Sequence, residues 1–589
     1  MMGPLSWLVI VPLLGAAATS MIERSRERTL RGVGMASTGI VFLIAAWVWA
    51  TFVPGRAALQ FEERVPWVPG IGIFYHLGVD GLSVSLVALT ALLFPLALGA
   101  AAGQVEARVK GFVITILLLE AGLLGTFTAQ DLVLFYVFWE GMLIPMYFLI
   151  ALWGGPGRAP AAMKFLLYTM AGSMLMLVAV IVVYLQGGRT SGGPTFDLPT
   201  LLAHSLQLRG VLPTVLFLAF TVAFAIKMPV WPLHEWLPDA YAEAPPVVTV
   251  LLASLMAKAG AYGLLRFCLP LFPEQMRTFG PLMSALAVIG ILYGGAVAWA
   301  QGDMRRLLAY GSMSHMGFIL LGIFALNAAA VQGSLLQMIN HGVSTGALFL
   351  VIGMLIERTG RARTADYGGL AAVTPRLAAL TLIIALSSLA LPPTNGFVGE
   401  FLILAGAFQT RPLFAVLATF GTVVAAAYLL AFVGRVFHGP VRGALASVSD
   451  LRLAEYAVLL PLIAVVFWVG LYPKPLLMRS DMSVQVLLAR VHAAAGMRMP
   501  AATGYASSRF VMFDEGIPPM HWGGRVSPSL LRTTRGISHL FRYGPAQVTG
   551  SHARLASRGR RTPAAGRSLP PWSSAISELR QWGTEGYVR

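Results

Sequence analysis

Long apolar runs recur along most of the chain, and short polar links, many containing glycine or proline, separate them. A run of about 17 to 25 apolar residues crosses the apolar core of a bilayer as one helix. The pattern predicts about fourteen such spans, centred near residues 12, 43, 92, 119, 142, 174, 222, 256, 290, 317, 343, 390, 422 and 463. The sequence therefore indicates an all-α polytopic membrane protein.

Composition and charge agree with this pattern. Hydrophobic residues make up 57% of the chain and charged residues 11%, and the mean hydropathy is +0.74, whereas soluble domains carry about 25% charged residues. The links after odd-numbered spans hold 17 Lys and Arg residues, and the links after even-numbered spans hold six. Because basic loops tend to stay in the cytoplasm, we expect the amino terminus on the extracytoplasmic side.

The last part of the chain, residues 500–589, differs from the rest. Residues 501–589 hold twelve Arg, no Lys and four acidic residues, and they contain no spanning run. This composition predicts a disordered or surface-lying extension, with contact to anionic lipid or a neighbouring subunit as the alternative. No nucleic-acid partner is expected, because the extension falls on the predicted extracytoplasmic side.

The sequence predicts no cofactor or metal site in this chain. Cys268 is the single cysteine, so neither a disulfide framework nor a thiolate set for an iron–sulfur cluster can form. The GIG at 70–72 lacks the third glycine of a dinucleotide fingerprint. No His, Asp and Glu cluster has the spacing of metal ligands.

Four charged residues sit well inside apolar surroundings and stand out for this reason: Glu140, Lys227, Lys258 and Glu400. An unpaired charge in the middle of a bilayer costs at least several kcal/mol, so each needs a partner, a hydrated cavity or neutralisation. A static pair that only fixes helix packing would explain any one of them. Buried pairs stabilise poorly, so the four together favour a functional set.

Two of these residues adjoin predicted breaks in a span. In AFAIKMPVWPLHEWLPDA, Lys227 is followed by Pro229 and Pro232, and Glu400 is preceded by LPPTNG. The two residues are 173 positions apart, and the predicted spans four and nine are separated by 171. This offset predicts two inverted five-helix repeats, each with one broken helix, a pattern typical of a transport site.

The predicted division of the chain follows from these repeats. The expected segments are an N-terminal group of spans (1–110), the first repeat (111–275), the second repeat (276–440), a final span with its flanks (441–499) and the basic extension (500–589).

Two histidines lie on successive predicted spans between Lys258 and Glu400. They are His315 in AYGSMSHMGF and His341 in MINHGVSTG. Imidazole accepts and donates a proton near neutral pH, so we predict a proton relay that combines both histidines with the four buried charges. A hydrogen-bonded packing role is the alternative for each histidine. His234 and Asp239, just past the first break, are interpreted as interfacial residues outside the relay.

Several of these strings together resemble a known family. FYVFWEGMLIPMYFLI (135–150), AIKMPVWPLHEWLPDAYAEAP (225–245) and LPPTNGFVGEF (391–401) are similar to the proton-pumping antiporter-like subunits of respiratory complex I. The resemblance covers about residues 1–495 and excludes the basic extension. Glu400 stands where the paralogues of this family tend to have lysine. Multi-subunit cation/proton antiporters, membrane-bound hydrogenase complexes and a purely structural membrane scaffold remain as alternatives.

The resemblance implies a role for each relay residue. It implies that Glu140 pairs with Lys227 and sets its proton affinity, and that Lys258 links two half-channels. His315 and His341 would then bridge onward, and Glu400 would hand the proton to the extracytoplasmic side.

The resemblance also implies where the chain works and with what. It implies a multi-pass protein of the inner (plasma) membrane whose partners are lipids and other membrane-arm subunits, above all its paralogues. NAD, FMN, iron–sulfur clusters and quinone would bind to partner subunits and not to this chain.

Overall fold

The structure is a computed structural model that describes residues 2–187, 193–203 and 208–494. These residues belong to one compact unit. The predicted basic extension lies outside the described residues.

The described residues form helices and one two-stranded hairpin. The N-terminal group consists of α1 (Pro4–Met21), α2 (Glu27–Thr51), β1 (Gln60–Val68), β2 (Ile73–Val79) and α3 (Val84–Ala100). The next group consists of α4 (Val109–Thr128), α5 (Leu132–Gly141), α6 (Leu143–Trp153), α7 (Arg158–Gly187), α8 (Leu198–Ala203), α9 (Leu212–Lys227), α10 (Trp236–Glu243), α11 (Pro246–Leu251), α12 (Ala257–Gly263) and α13 (Leu269–Leu271).

The second half of the described chain is also built from helices. It begins with α14 (Pro273–Thr278), α15 (Gly280–Ala300), α16 (Met304–Phe324), α17 (Ala328–Thr359), α18 (Leu370–Val373), α19 (Pro375–Ser388), α20 (Asn395–Thr410) and α21 (Pro412–Phe437). The last two helices are α22 (Leu453–Leu471) and α23 (Lys474–Ala494).

The helical, multi-pass class is confirmed. Within the described residues, twelve helices are long and apolar enough to cross a membrane. Two shorter apolar helices, α9 and α19, stand where the sequence predicts the broken spans. The count of fourteen crossings, which adds these two, stays a prediction.

The lengths of the spans recur in the same order in the two predicted repeats. In the first, spans of 20, 22 and 30 residues precede the broken helix and one of 26 residues follows it. In the second, spans of 21, 21 and 32 residues precede the broken helix and one of 26 residues follows it. This recurrence supports two five-helix repeats. Because each repeat has an odd number of spans, the second repeat begins on the opposite side of the membrane from the first and is therefore inverted. The segment boundaries themselves stay predictions.

Each broken helix stops for a local chemical reason. Proline has no backbone N–H and cannot continue a helix ladder, and α9 ends two residues before Pro229. The Trp236 indole donates to the Ile226 carbonyl at 2.9 Å and so joins the two sides of this break. In the second half, Pro392 and Pro393 separate α19 from α20. Lys227 therefore lies before its break, whereas Glu400 lies after its own.

Burial separates inner spans from outer ones. The span Pro246–Leu271 is 100% buried over its most apolar window, and α16 and α17 are each 94% buried. The windows of α2, α7, α21 and α22 are 33 to 39% buried, which leaves apolar side chains for lipid or partner subunits. The three innermost spans carry Lys258, His315 and His341.

The hairpin is held to the loop before α8 by a charged cluster. His76 Nδ1 lies 2.5 Å from Asp197 and Nε2 lies 2.9 Å from Glu62, and Arg64 lies 3.5 Å from Asp197. Burial alone would raise the pKa of the Asp197 carboxyl, but hydrogen bonds from His76 and Thr200 and the nearby positive charge lower its pKa overall. The ionised carboxylate therefore stabilises this junction.

The last helix, α23, packs along the bundle by polar contacts at both ends. Arg479 donates to the Trp49 carbonyl and lies 3.7 Å above the Trp49 ring. Farther along, Arg490 donates to the Leu202 carbonyl at 3.2 Å. Helix α23 is not among the candidate membrane spans.

A buried ion pair ties the N-terminal helices to the innermost span. The Arg266 guanidinium holds both oxygens of Asp80, at 2.8 and 2.6 Å, and its Nε donates to the Tyr262 hydroxyl at 3.0 Å. A bidentate pair of this kind fixes the geometry of both partners.

We predict that Arg266→Met destabilises the chain by about 3 to 5 kcal/mol, because Asp80 stays buried without a counter-charge. Asp80→Leu with Arg266→Met should recover most of this loss. The measurement is the free energy of unfolding of the purified chain in detergent. Glu23→Gln, which breaks a pair whose side chains are 73% and 69% exposed, is the control and should change stability by less than about 1 kcal/mol. Equal losses in the single and double variants would contradict the prediction.

Candidate functional site

Lys258 sits in the middle of the innermost span, and the helix on either side of it is irregular. The segments Leu252–Met256 and Leu264–Cys268 are π-helical and flank α12. Wider π turns interrupt the regular ladder and occur often at functional sites. The Lys258 ammonium reaches the Ala253 carbonyl at 2.5 Å, so the lysine is fully buried beside a backbone acceptor.

Four of the predicted residues form one buried series. The Lys258 ammonium is hydrogen-bonded to His341 Nδ1. The rings of His341 and His315 have centroids 5.5 Å apart. His315 Nδ1 lies 3.1 Å from Glu400 Oε1. We call Lys258, His341, His315 and Glu400 the relay series.

Glu400 has further polar neighbours. The Gln337 side-chain amide donates to Glu400 Oε1 at 3.1 Å, and the Thr422 hydroxyl lies 3.5 Å from Oε2. The carboxyl group is nearly fully buried, yet both oxygens have partners. Glu400 therefore occupies a polar site in the apolar bundle, and no Lys or Arg among the described residues forms an ion pair with it.

Lys227 and Glu140 lie apart from the relay series. The Lys227 ammonium lies 3.7 Å above the Trp139 ring and 3.4 Å from the Trp139 carbonyl. Glu140 follows Trp139 on α5, and its charge is close enough to act on Lys227. No ion pair within 4 Å joins the described side chains of Glu140 and Lys227. One Glu140 oxygen is buried with no hydrogen-bond partner among the described residues. The close contacts of the Lys227 ammonium are thus those with Trp139, and the Glu140–Lys227 pairing implied by the resemblance stays a prediction.

The structure therefore brings together four of the six predicted residues and places the other two as a separate group. No hydrogen bond between described residues connects Lys227 to Lys258. Helix α9, which ends at Lys227, packs against α12, which carries Lys258. Transfer between the two groups would need water or a movement of these helices.

Sequence reasoning missed several polar residues of the site. Gln337 precedes His341 by one helical turn, and Asn340 stands directly before it. The spacing of Gln337 and His341 places both on one helix face, so this signal was present in the sequence. The contact of Trp139 with Lys227 had no such signal, because it joins residues 88 positions apart.

Glu120 was also missed. It lies fully buried on α4, and neither carboxylate oxygen has a hydrogen-bond partner among the described residues. It is not in hydrogen-bond contact with any residue of the relay series.

Asp239, interpreted from the sequence as interfacial, is partly exposed and links the two predicted repeats. Its two oxygens bind Lys164 of α7 at 3.0 Å and Arg306 of α16 at 2.8 Å. Helix α10, the second half of the broken helix that carries Lys227, is thereby held between the repeats.

Within the described part of the chain, no group of three or more His, Cys, Asp or Glu side chains could hold a metal ion.

Comparisons with known proteins give a consistent result. The family model for "NADH:quinone oxidoreductase/Mrp antiporter, TM" matches residues 129–425, about half of the chain. The chain is 41% identical over 512 residues to NADH-quinone oxidoreductase subunit M of Rhodobacter capsulatus, which covers 85% of this chain and 99% of the relative. It is 40% identical over 493 residues to subunit M of Escherichia coli K12, covering 82% and 96%.

A solved structure has the same fold. A chain in respiratory complex I from Thermus thermophilus with bound NADH superposes with a TM-score of 0.74 and 36% identity, covering 82% of this chain and 99% of that one.

The contacts predict stronger coupling of Lys227 to Trp139 than to Glu140. A double-mutant cycle of Lys227→Met and Trp139→Leu should show a coupling energy of about 1 to 2 kcal/mol, the size of a desolvated cation–π contact. The measurement is the free energy of unfolding of the purified chain in detergent. The matched cycle of Lys227→Met and Glu140→Gln should give the smaller coupling. The reverse order would contradict the geometry.

Proposed function

The chain belongs to the subunit M family of NADH-quinone oxidoreductases, and we propose that it moves protons across the membrane through the relay series. It is a membrane-arm subunit of this complex. The observation that carries the proposal is the series of neighbouring buried, titratable side chains from Lys258 to Glu400, inside the most buried spans of the bundle. Such residues in a bilayer cost free energy and are kept where ions or protons pass.

A proton can move through the series by using different nitrogens of each imidazole. Lys258 passes a proton to His341 Nδ1, and His341 then releases a proton from Nε2. The rings are 5.5 Å apart by centroid, so a water molecule or a ring movement carries this proton to His315. His315 Nδ1, at 3.1 Å from Glu400 Oε1, completes the transfer. Each step moves one proton, and each imidazole ends in its other tautomer, so it returns to the first tautomer before the next transfer.

Lys227 and Glu140 form the loading group. The Trp139 ring, the Trp139 carbonyl and the charge of Glu140 stabilise Lys227 as a cation. A buried lysine that loses such stabilisation releases its proton. A movement that changes the distance from Glu140 to Lys227 would therefore send the proton toward Lys258.

The direction of transport follows from the distribution of basic residues. The basic links place the amino terminus on the extracytoplasmic side. In this orientation Glu400 is the exit group, and the chain lies in the inner (plasma) membrane of the cell.

The energy for transport comes from partner subunits. NAD, FMN, iron–sulfur clusters and quinone bind outside this chain, and quinone reduction drives the proton steps through the membrane arm. The paralogous subunits L and N are the neighbours, and the exposed apolar faces of the outer spans contact these subunits and lipid.

We predict that Lys227→Ala abolishes proton pumping while the complex still assembles, because Lys227 is the only cation in the loading group. The measurement is proton uptake by membrane vesicles during NADH oxidation, normalised to assembled complex. Lys110→Ala is the control, since Lys110 caps the Ile22 carbonyl at 2.7 Å far from the site, and it should pump normally. Full pumping by Lys227→Ala would remove Lys227 from the pathway.

We predict that Glu400→Gln blocks pumping, because glutamine has nearly the same shape but cannot carry a proton. Glu400→Asp should retain part of the activity, and Glu400→Lys should be partly tolerated because either group can cycle one proton. The same vesicle assay applies. Glu23→Gln, which removes an exposed carboxyl outside the spans, is the control and should pump normally. An active Glu400→Gln complex would refute the proposed exit group.

A further inference from the structure

One oxygen of Glu400 has two neighbours of different character. Oε1 lies 3.1 Å from His315 Nδ1, which can deliver a proton, and 3.1 Å from the side-chain amide of Gln337. An amide can donate through its nitrogen or accept through its oxygen, and the two ends look alike in shape. Which end of Gln337 faces Glu400 decides which form of the carboxyl is favoured.

The hydrogen bonds around Asn340 settle this orientation. Asn340 Nδ2 lies 2.7 Å from the backbone carbonyl of Asn395, which can only accept. The Asn340 NH₂ group therefore points that way, and its second hydrogen reaches Gln337 Oε1 at 3.2 Å. Because the Gln337 oxygen is occupied by this donor, the Gln337 NH₂ group must face Glu400.

Asn395 is itself fixed at the start of α20. The Ser387 hydroxyl donates to Asn395 Oδ1 at 2.5 Å and lies 2.5 Å from the Ser344 hydroxyl. These side chains are all buried. A network of hydrogen bonds thus connects the second helix break to Glu400.

A glycine makes the close approach of α20 to α17 possible. A Cβ at Gly399 would lie 2.3 Å from Gln337 Oε1 and 2.7 Å from Asn340 Nδ2. Any larger residue here would displace the amide pair. The absence of a side chain at Gly399 therefore leaves space for the Gln337–Asn340 amide pair next to Glu400.

We propose that Gln337, oriented by Asn340, is a positioning residue that favours the ionised form of Glu400 and so sets the pH at which Glu400 releases its proton. This inference rests on the proposed function of Glu400. The amide donates to the carboxylate, but Asn340 prevents it from turning to accept a hydrogen bond from the carboxylic acid. A hydrogen bond available only to the charged form favours that form.

The other titratable groups near Glu400 do not duplicate this role. His315 on α16 faces it directly, Tyr428 on α21 is within electrostatic reach, and His341 on α17 lies beyond His315. The remaining ionisable residues of the helices packed against α20 lie near the helix ends or outside the site: Arg305, Arg306, Tyr310, Glu357, Arg358, Arg376, Arg435, Glu455 and Tyr456.

The test compares Gln337→Met with Gln332→Met in the assembled complex. Gln332 lies on the same helix but donates to Asp481 at 2.6 Å, away from Glu400. For Gln337→Met we expect pumping to continue, with the pH of half-maximal pumping on the acidic limb raised by about one unit, the size of one charge-assisted hydrogen bond. The profile of Gln332→Met should match the unsubstituted complex.

A second measurement follows the carboxyl group directly. The infrared C=O band that Glu400→Gln removes should change frequency in Gln337→Met and stay unchanged in Gln332→Met. Asn340→Leu should shift the pH profile in the same direction, and the double variant should shift it no further, because both act through one amide. If Gln337→Met does not assemble, Gln337→Asn, one methylene shorter, takes its place with the same expected shift.

The outcomes separate the two proposals. Normal pumping by Glu400→Gln overturns the proposed function and this inference with it. If Glu400→Gln does not pump, and Gln337→Met shows no shift in its pH profile or in the infrared C=O band, only the role of Gln337 is overturned. A shift of equal size in Gln332→Met would also overturn it, since the effect would not depend on contact with Glu400.

Discussion

The cost of placing a charge in a medium of low dielectric constant governs this structure. Lys227, Lys258 and Glu400 lie nearly or fully buried among apolar side chains, where an isolated ion is strongly disfavoured. Each has different polar partners. Lys227 contacts an aromatic ring and a carbonyl, Lys258 contacts a histidine and a carbonyl, and Glu400 contacts a histidine and an amide. Among the described residues, no Lys, Arg, Asp or Glu side chain forms an ion pair with any of the three, and the ionisable partner of Glu400 is His315. Their protons are held by weak, adjustable partners, which suits transfer better than permanent pairing.

Irregular backbone supplies part of those partners. The Trp139 carbonyl that Lys227 approaches lies in the last turn of α5. Lys258 lies between two π-helical segments and reaches the Ala253 carbonyl in the first of them. Regular helices use all their interior carbonyls in their own ladder. A break or a widened turn frees an acceptor inside the bilayer without an additional polar side chain. At the second break the polar partners are side chains, because Asn395 at this break forms hydrogen bonds with side chains of α17.

The two halves of the pathway differ in continuity. From Lys258 to Glu400 the separations are those of hydrogen bonds or neighbouring rings, whereas no hydrogen bond between described residues leads from Lys227 to Lys258. The discontinuity therefore lies within the first predicted repeat, between Lys227 and Lys258. Asp239, which binds Lys164 and Arg306 at once, holds α10, the half-helix that follows Lys227.

Sequence alone determined the spans, the breaks and the six ionisable positions, because apolar length and proline placement act locally and buried charges are rare enough to stand out. It did not determine the partners. The Glu140–Lys227 pairing stays a prediction, the contact of Trp139 with Lys227 was not predicted, and Gln337 and Asn340 were not predicted although both precede His341 by one helical turn or less. Hydrogen bonds and ring contacts join residues 63 or 88 positions apart, and their geometry depends on how closely helices such as α17 and α20 pack. That distance is set by small residues like Gly399 acting together with the whole bundle, so only the tertiary structure decides it.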